Sequence, residues 1–205
     1  YQKAISIKPD MDFLFGTLFN NEMNLAIWSN YSKNLKELRK KINNNEKTIG
    51  PFSLLGLIDD PALQRHASEI FTEYHYPNNN NLQNIVVYES HPKIRIGYFS
   101  GDFKIHPVAY LTAGLYELHN RNQFEIHAFS FGPDTKDAMN LRIKAGVDHF
   151  HDVQNMSDVE IAVLARSLEI DIAVDLAGHT ANSKTEVFAL SAAPIQVIYF
   201  TGEFN

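Results

Sequence analysis

Three stretches of this 205-residue chain carry side chains that could move a proton or hold an anion. The first is Ser100-Gly-Asp-Phe-Lys-Ile-His106-Pro107-Val-Ala-Tyr110. Proline suits the first turn of a helix, so Pro107 is expected to open one, with His106 at or beside its N-cap. A neutral imidazole there could take a proton from a hydroxyl, since its ordinary pKa of about 6.5 suits general base work. The positive end of the helix favours that neutral form. The same spacing also fits a loop histidine that merely caps or packs. The second stretch is Asp148-His149-Phe150-His151-Asp152. If it is extended, His149 and His151 point the same way, and such a pair could begin a zinc or manganese site. No third ligand lies at a recognisable spacing, so no metal is expected, and the aspartates fix tautomers or cap the next turn. The third is Asp175-Leu-Ala-Gly178-His179-Thr180. Gly178 permits close backbone approach, and the amides of residues 180–183 could face a phosphate or a sugar. An ordinary strand-to-helix turn fits it equally.

The elements that must position these residues follow from periodicity. Runs of branched and aromatic residues at 93–99, 124–131, 171–176 and 194–199 predict strands. Helical spacing fills 107–119, 135–146, 157–168 and 184–190, and Ser157-Asp-Val-Glu160 has the form of a capping box. Strands alternating with helices of this length imply parallel βαβ units, an α/β class with a Rossmann-like lobe. Ligands of such sheets sit beyond the carboxyl ends of the strands, which directs attention to 100–106, 130–135 and 177–183. No Gly-x-Gly-x-x-Gly, P-loop or Gly-x-Ser-x-Gly is present, which argues against dinucleotide enzymes, P-loop phosphotransferases and serine hydrolases.

The first part of the chain is helical in pattern. Apolar spacing over 11–41 predicts two helices broken near Asn30, with Phe13, Phe15, Phe19 and Trp28 as helix core. Asp59-Asp60-Pro61 looks like a cap and first turn for a helix running to about Tyr74. The asparagine run that follows Pro77 competes with regular structure through its own side-chain hydrogen bonds. The expected division is a helical segment at 1–75, a linker at 76–92 and the α/β lobe at 93–205.

Composition narrows the class further. With 44% apolar and 20% charged residues the chain is ordinary globular material. It has no cysteine, which excludes disulfides, thiolate zinc sites and a cysteine nucleophile. A net charge of −6 argues against nucleic acid or an anionic membrane as general partners. No apolar run is long enough for a membrane helix and no signal peptide opens the chain, so a cytoplasmic protein is expected. The opening Tyr1 reads as a cut from something longer.

Two resemblances sharpen this picture. Tyr1-Gln-Lys-Ala-Ile-Ser-Ile-Lys-Pro9 resembles the last helix of a tetratricopeptide repeat, which implies further repeats before it. Lys93-Ile-Arg-Ile-Gly-Tyr-Phe-Ser-Gly-Asp-Phe103 with His106-Pro107 resembles the start of the catalytic region of the O-linked N-acetylglucosamine transferases, a family that includes SPINDLY-type proteins and bacterial relatives. The likeness continues through Phe124-Glu-Ile-His-Ala-Phe-Ser-Phe-Gly-Pro-Asp134, residues 148–152, residues 171–178 and Phe188-Ala-Leu-Ser-Ala-Ala-Pro-Ile-Gln196. It implies a small all-α segment ending a tetratricopeptide array, then the amino-terminal, Rossmann-like catalytic lobe. It also implies UDP-GlcNAc as donor, serine and threonine hydroxyls of proteins as acceptors, inverting transfer without metal or cofactor, and a second lobe that supplies most nucleotide contacts. By resemblance His106 matches the histidine proposed as catalytic base, beside Pro107, and His149 matches a histidine lining the cleft. Pro107, Gly178 and Thr180 stand as further substrate-binding candidates. The family's Pro-Gly-Thr after residue 199 is replaced here by Tyr199-Phe-Thr-Gly-Glu-Phe-Asn205, which puts the terminal residues in doubt as cleft. The competing reading is a non-catalytic interaction module derived from such an enzyme.

Overall fold

A computed structural model describes residues 2–77, 82, 85, 88, 89, 91–180 and 182–199, with Gln2 and Ile5 described by backbone alone. Most of the expected linker over 76–92 lies outside the described residues. The chain forms two compact units, Tyr1–Asn78 and Asn79–Asn205.

The first unit is all helix: α1 (Gln2–Ile7), α2 (Leu14–Asn24), α3 (Tyr31–Asn43), α4 (Pro51–Leu55) and α5 (Pro61–His75). Asp60 caps α5, its carboxylate accepting the Leu63 N–H at 3.2 Å, with Pro61 at the first turn. Phe19, Leu38, Ile42, Ile49 and Leu54 form the core. Trp28 does not belong to it. Helix α2 stops at Asn24, Ala26 turns left-handed at φ 55, and Trp28 falls outside the apolar stripe, 60% exposed. The short α4, which lies between two stretches of turn, also escapes the periodicity.

The second unit is α/β: β1 (Ile94–Ser100), α6 (Pro107–Leu118), β2 (Phe124–Ser130), α7 (Ala138–Gly146), β3 (His149–Asp152), α8 (Asp158–Ser167), β4 (Ile172–Asp175), α9 (Thr185–Ala189) and β5 (Ile195–Ile198). All strand pairs are parallel, in the order β3-β2-β1-β4-β5. The chain runs outward to one side from β1 and then returns to its other side, which places the topological switch point between β1 and β4. Alternate residues feed opposite faces. Ile96, Tyr98, Ile126 and Ala128 pack with α6 and α7 on one side. Phe99, Phe129 and Ala173 pack with α8 and α9 on the other, the two phenyl rings stacked at 4.3 Å. The capping box of α8 is present as the sequence predicts. No helix among the described residues is long and apolar enough to cross a membrane.

Burial lowers the pKa of several imidazoles in this fold. His119 accepts from the Tyr98 hydroxyl at 2.8 Å when neutral, and burial draws its pKa below the ordinary 6.5. His127, His151 and His179 are shifted the same way by burial, while carboxylates beside His91 raise that one. A depressed pKa means that the unfolded chain binds protons first as pH falls below 6.5. Stability is therefore expected to decline from pH 7 towards pH 5 in denaturant titrations, and His119→Gln should flatten part of that slope. A flat or rising profile would contradict this balance.

Candidate functional site

The loop leaving β1 is tied to α7 and to itself by hydrogen bonds, and it leads to His106. The Ser100 hydroxyl accepts the Asp102 N–H at 3.0 Å, and Asn140 on α7 donates to the Phe103 carbonyl at 2.7 Å. Asp137, the N-cap of α7, accepts the Ile105 N–H at 3.0 Å and the Thr135 hydroxyl at 2.6 Å. That hydroxyl, with backbone N–H groups, holds the Asp137 carboxyl down to about 2. Phe103 anchors the loop in the core. His106 is the N-cap of α6, in extended backbone (φ −158, ψ 149), with Pro107 at the first helical position.

The His106 ring lies beyond the carboxyl end of β1, about one-third exposed. Its Nδ1 accepts the Val108 N–H at 3.3 Å and lies 3.6 Å from the Asp102 carboxylate. These two partners ask for opposite tautomers. The Val108 contact requires a bare Nδ1 and so leaves the proton of a neutral ring on Nε2. A proton on Nδ1 facing Asp102 would leave Nε2 bare and able to accept. The amide contact is long for a hydrogen bond, so the cost of exchanging one for the other is small. Asp102 was not singled out by spacing, because it sits in a loop where side-chain direction follows no period.

The third stretch behaves as an ordinary turn. Asp175 is buried at the end of β4 and accepts the N–H groups of Ala177 and Gly178 at 2.8 and 3.1 Å. Burial raises its pKa, against those two hydrogen bonds. Gly178 is left-handed at φ 58, which explains glycine there. The Thr180 N–H is used by the Ala177 carbonyl and the Ser183 N–H by the Thr180 carbonyl. The expected phosphate-facing role of the amides over 180–183 is thus corrected for Thr180 and Ser183, since the turn consumes them. Gly178 and Thr180 do lie at the carboxyl end of the sheet.

His149 is not with His106. It opens β3 and pairs in register with His127 of β2, three residues before the strand end at Ser130, or about 10 Å back along the sheet. Its side chain lies on the face that carries Phe129, whereas α6 packs on the other. There His149 Nε2 meets Glu125 Oε1 at 3.1 Å, His127 Nε2 meets the same oxygen at 3.2 Å, and His127 Nδ1 meets His151 Nε2 at 3.0 Å. Burial pulls His127 below its ordinary pKa and takes His151 to about 4.

A family model, "Glycosyl transferase family 41", matches residues 63–202, which span every strand of the sheet and the His106 loop. The chain belongs to glycosyl transferase family 41. Among its relatives, a probable UDP-N-acetylglucosamine–peptide N-acetylglucosaminyltransferase SEC of Arabidopsis thaliana is 29% identical over 190 residues, covering 85% of this chain and 19% of that protein. A UDP-N-acetylglucosamine–peptide N-acetylglucosaminyltransferase of Caenorhabditis elegans is 32% identical over 110 residues, covering 52% of this chain and 9% of the relative. A solved O-GlcNAc transferase mutant of Thermobaculum terrenum superimposes with a TM-score of 0.65 at 26% identity, over 98% of this chain and 39% of that one. The chain thus spans about a fifth or less of the length of these curated relatives. His106 and Asp102 follow the carboxyl end of β1, and the Gly178 turn follows that of β4, its neighbour in the sheet.

Proposed function

We propose that this chain is the amino-terminal catalytic lobe of a longer protein that transfers N-acetylglucosamine from UDP-GlcNAc to serine and threonine hydroxyls of proteins. The observation that carries the reading is the family 41 match over the lobe that presents His106 at its carboxyl-end crevice. The proposed step is an inverting displacement. An acceptor hydroxyl attacks the anomeric carbon from the face opposite the diphosphate. The new C–O bond forms as the bond to the diphosphate oxygen breaks, and UDP departs with the electron pair. His106 takes the hydroxyl proton on Nε2, with its Nδ1–H turned to Asp102, whose charge stabilises the resulting imidazolium. Positioning by the tied-down loop supplies much of the rate, because a misplaced base is a poor one. Charge developing on the diphosphate calls for cationic groups or helix ends, and these are assigned to a second lobe elsewhere in the longer protein. No metal or cofactor is required by this scheme. Tetratricopeptide repeats before α1 would hold protein acceptors, and a cytoplasmic setting suits a nucleotide-sugar donor.

The test is transfer by the full-length protein of radiolabelled sugar from UDP-GlcNAc to a serine- and threonine-bearing peptide. Label that stays on the peptide through denaturation is the expected result. No transfer by protein that still binds peptide would favour the non-catalytic interaction module.

A further inference from the structure

We propose that Glu125, His127 and His149 form a binding site for a divalent transition-metal ion, zinc in the first instance, that clamps the edge strand β3 to β2. Each residue offers one ligand atom, and the three atoms lie within 4.8 Å of one another. Glu125 Oε1 is 3.2 Å from His127 Nε2 and 3.1 Å from His149 Nε2. Zinc bonds of about 2.0–2.2 Å to nitrogen and oxygen define a tetrahedron with edges of roughly 3.4 Å. Two of the three edges are therefore already near their final length.

The backbone explains why these groups meet. Glu125 and His127 are two apart on β2 and share a face of the sheet, and the parallel register sets His149 directly opposite His127. Regular strands, rather than loops, fix all three. The ring of His127 is further held from behind: its Nδ1 lies 3.0 Å from Nε2 of His151. A metal-bound imidazole needs a partner on its second nitrogen to set its tautomer and direction, and His151 is placed to accept that proton. Arg95 is the cation nearest the carboxylate, with its Nε 3.8 Å from Glu125 Oε2. It faces the oxygen that the histidines do not use. His149 is half exposed, which gives an ion a route in and leaves a coordination position for water.

Binding is a simple exchange. Without an ion, each Nε2–H donates to Glu125. With one, both nitrogens turn their lone pairs to the metal, their protons move to Nδ1, the carboxylate oxygen becomes the third ligand, and His151 shifts its own proton from Nε2 to Nδ1 so that its Nε2 accepts the His127 Nδ1–H. Both rings stay neutral and no bond to carbon changes. Two imidazoles and one carboxylate with no thiolate suit zinc and its neighbours, whereas magnesium and calcium require oxygen ligands. This site lies away from His106 and does not depend on the proposed transfer reaction.

The experiment is titration of the metal-free chain with zinc chloride by calorimetry, beside magnesium chloride, with absorption spectra of the cobalt(II) form. One zinc per chain, no heat with magnesium, and the visible bands of tetrahedral cobalt are expected. His149→Ala removes a half-exposed ligand at little cost to folding, and Glu125→Gln keeps the shape of the carboxylate. Loss of an outer partner costs about 10–100-fold in affinity, so loss of a direct ligand should cost roughly a hundredfold or more. The rise in melting temperature with zinc should vanish in both variants. Absence of saturable zinc binding, zinc binding unchanged in both variants, or equal binding of magnesium would each overturn the proposal.

Discussion

His106→Ala in the full-length protein is expected to lower turnover by about 10² to 10⁴-fold, the usual contribution of a positioned general base. Affinity for UDP should change much less, since the nucleotide contacts are assigned to the other lobe. Some loss of helix stability accompanies the change, because His106 also caps α6 through the Val108 N–H. His106→Gln separates the possible roles. A glutamine side chain can still cap the helix and hydrogen-bond a sugar hydroxyl, but it cannot hold a proton. Turnover near wild type in the glutamine variant would leave His106 as an orienting group, the role that the Val108 contact favours by keeping the proton on Nε2. Turnover near wild type in both variants would remove it from the mechanism. Asp102→Asn bears on the same point: it keeps the size of the side chain and withdraws the charge that stabilises an imidazolium. A clear fall in turnover is expected there, measured at saturating donor.

Gly132→Ala should be the most disruptive single methyl in the α/β unit. Gly132 lies just beyond β2, and a Cβ there would overlap the carbonyl oxygen and carbon of Gly101, just beyond β1. The obstacle is backbone on a tied-down loop, so neither partner can turn aside. Overpacking of this kind costs about 1–3 kcal/mol, read as a lower denaturant midpoint. Because Gly101 precedes Asp102, turnover of the full-length protein should fall as well. Gly114→Ala in α6 is the control. A Cβ there meets nothing within 4 Å, and alanine is the better helix former by roughly 0.5–1 kcal/mol. Equal stability of the two variants would contradict the close approach of the β1 and β2 exit loops.

The sheet was legible because its central strands are runs of branched and aromatic residues ended by small or polar ones. Ile94–Ser100 and Phe124–Ser130 are the plainest cases, and the βα alternation then leaves parallel pairing as the economical solution. The position of His106 was legible for a local reason: Pro107 marks a first helical turn wherever it occurs after a strand. What the sequence hid is what register creates. Glu125 and His149 are 24 residues apart and become neighbours only when β3 pairs with β2 at one alignment. The four residues His149–Asp152 are too short and too polar to announce a strand. By resemblance His149 matches a histidine lining the cleft; alternation and register set it opposite His127, on the sheet face that carries Phe129. Trp28 was misassigned for a related reason: helical spacing was extended past a left-handed break at Ala26 that periodicity does not sense. Asp102 and the spent amides of Thr180 and Ser183 depend on loop geometry, where no repeat operates.

The sugar nucleotide is proposed to act beyond the carboxyl ends of β1 and β4, at the switch point of the sheet. The most direct test of this placement is the set of histidine ring resonances of the isotopically labelled full-length protein, followed by NMR as UDP-GlcNAc is added to millimolar concentration in the presence of a metal chelator. The account predicts that the His106 ring shifts in a saturable way, that His179 beside the Gly178 turn follows more weakly, and that His127, His149 and His151 stay still. Saturable shifts centred on His127, His149 and His151, with His106 unmoved, would contradict it.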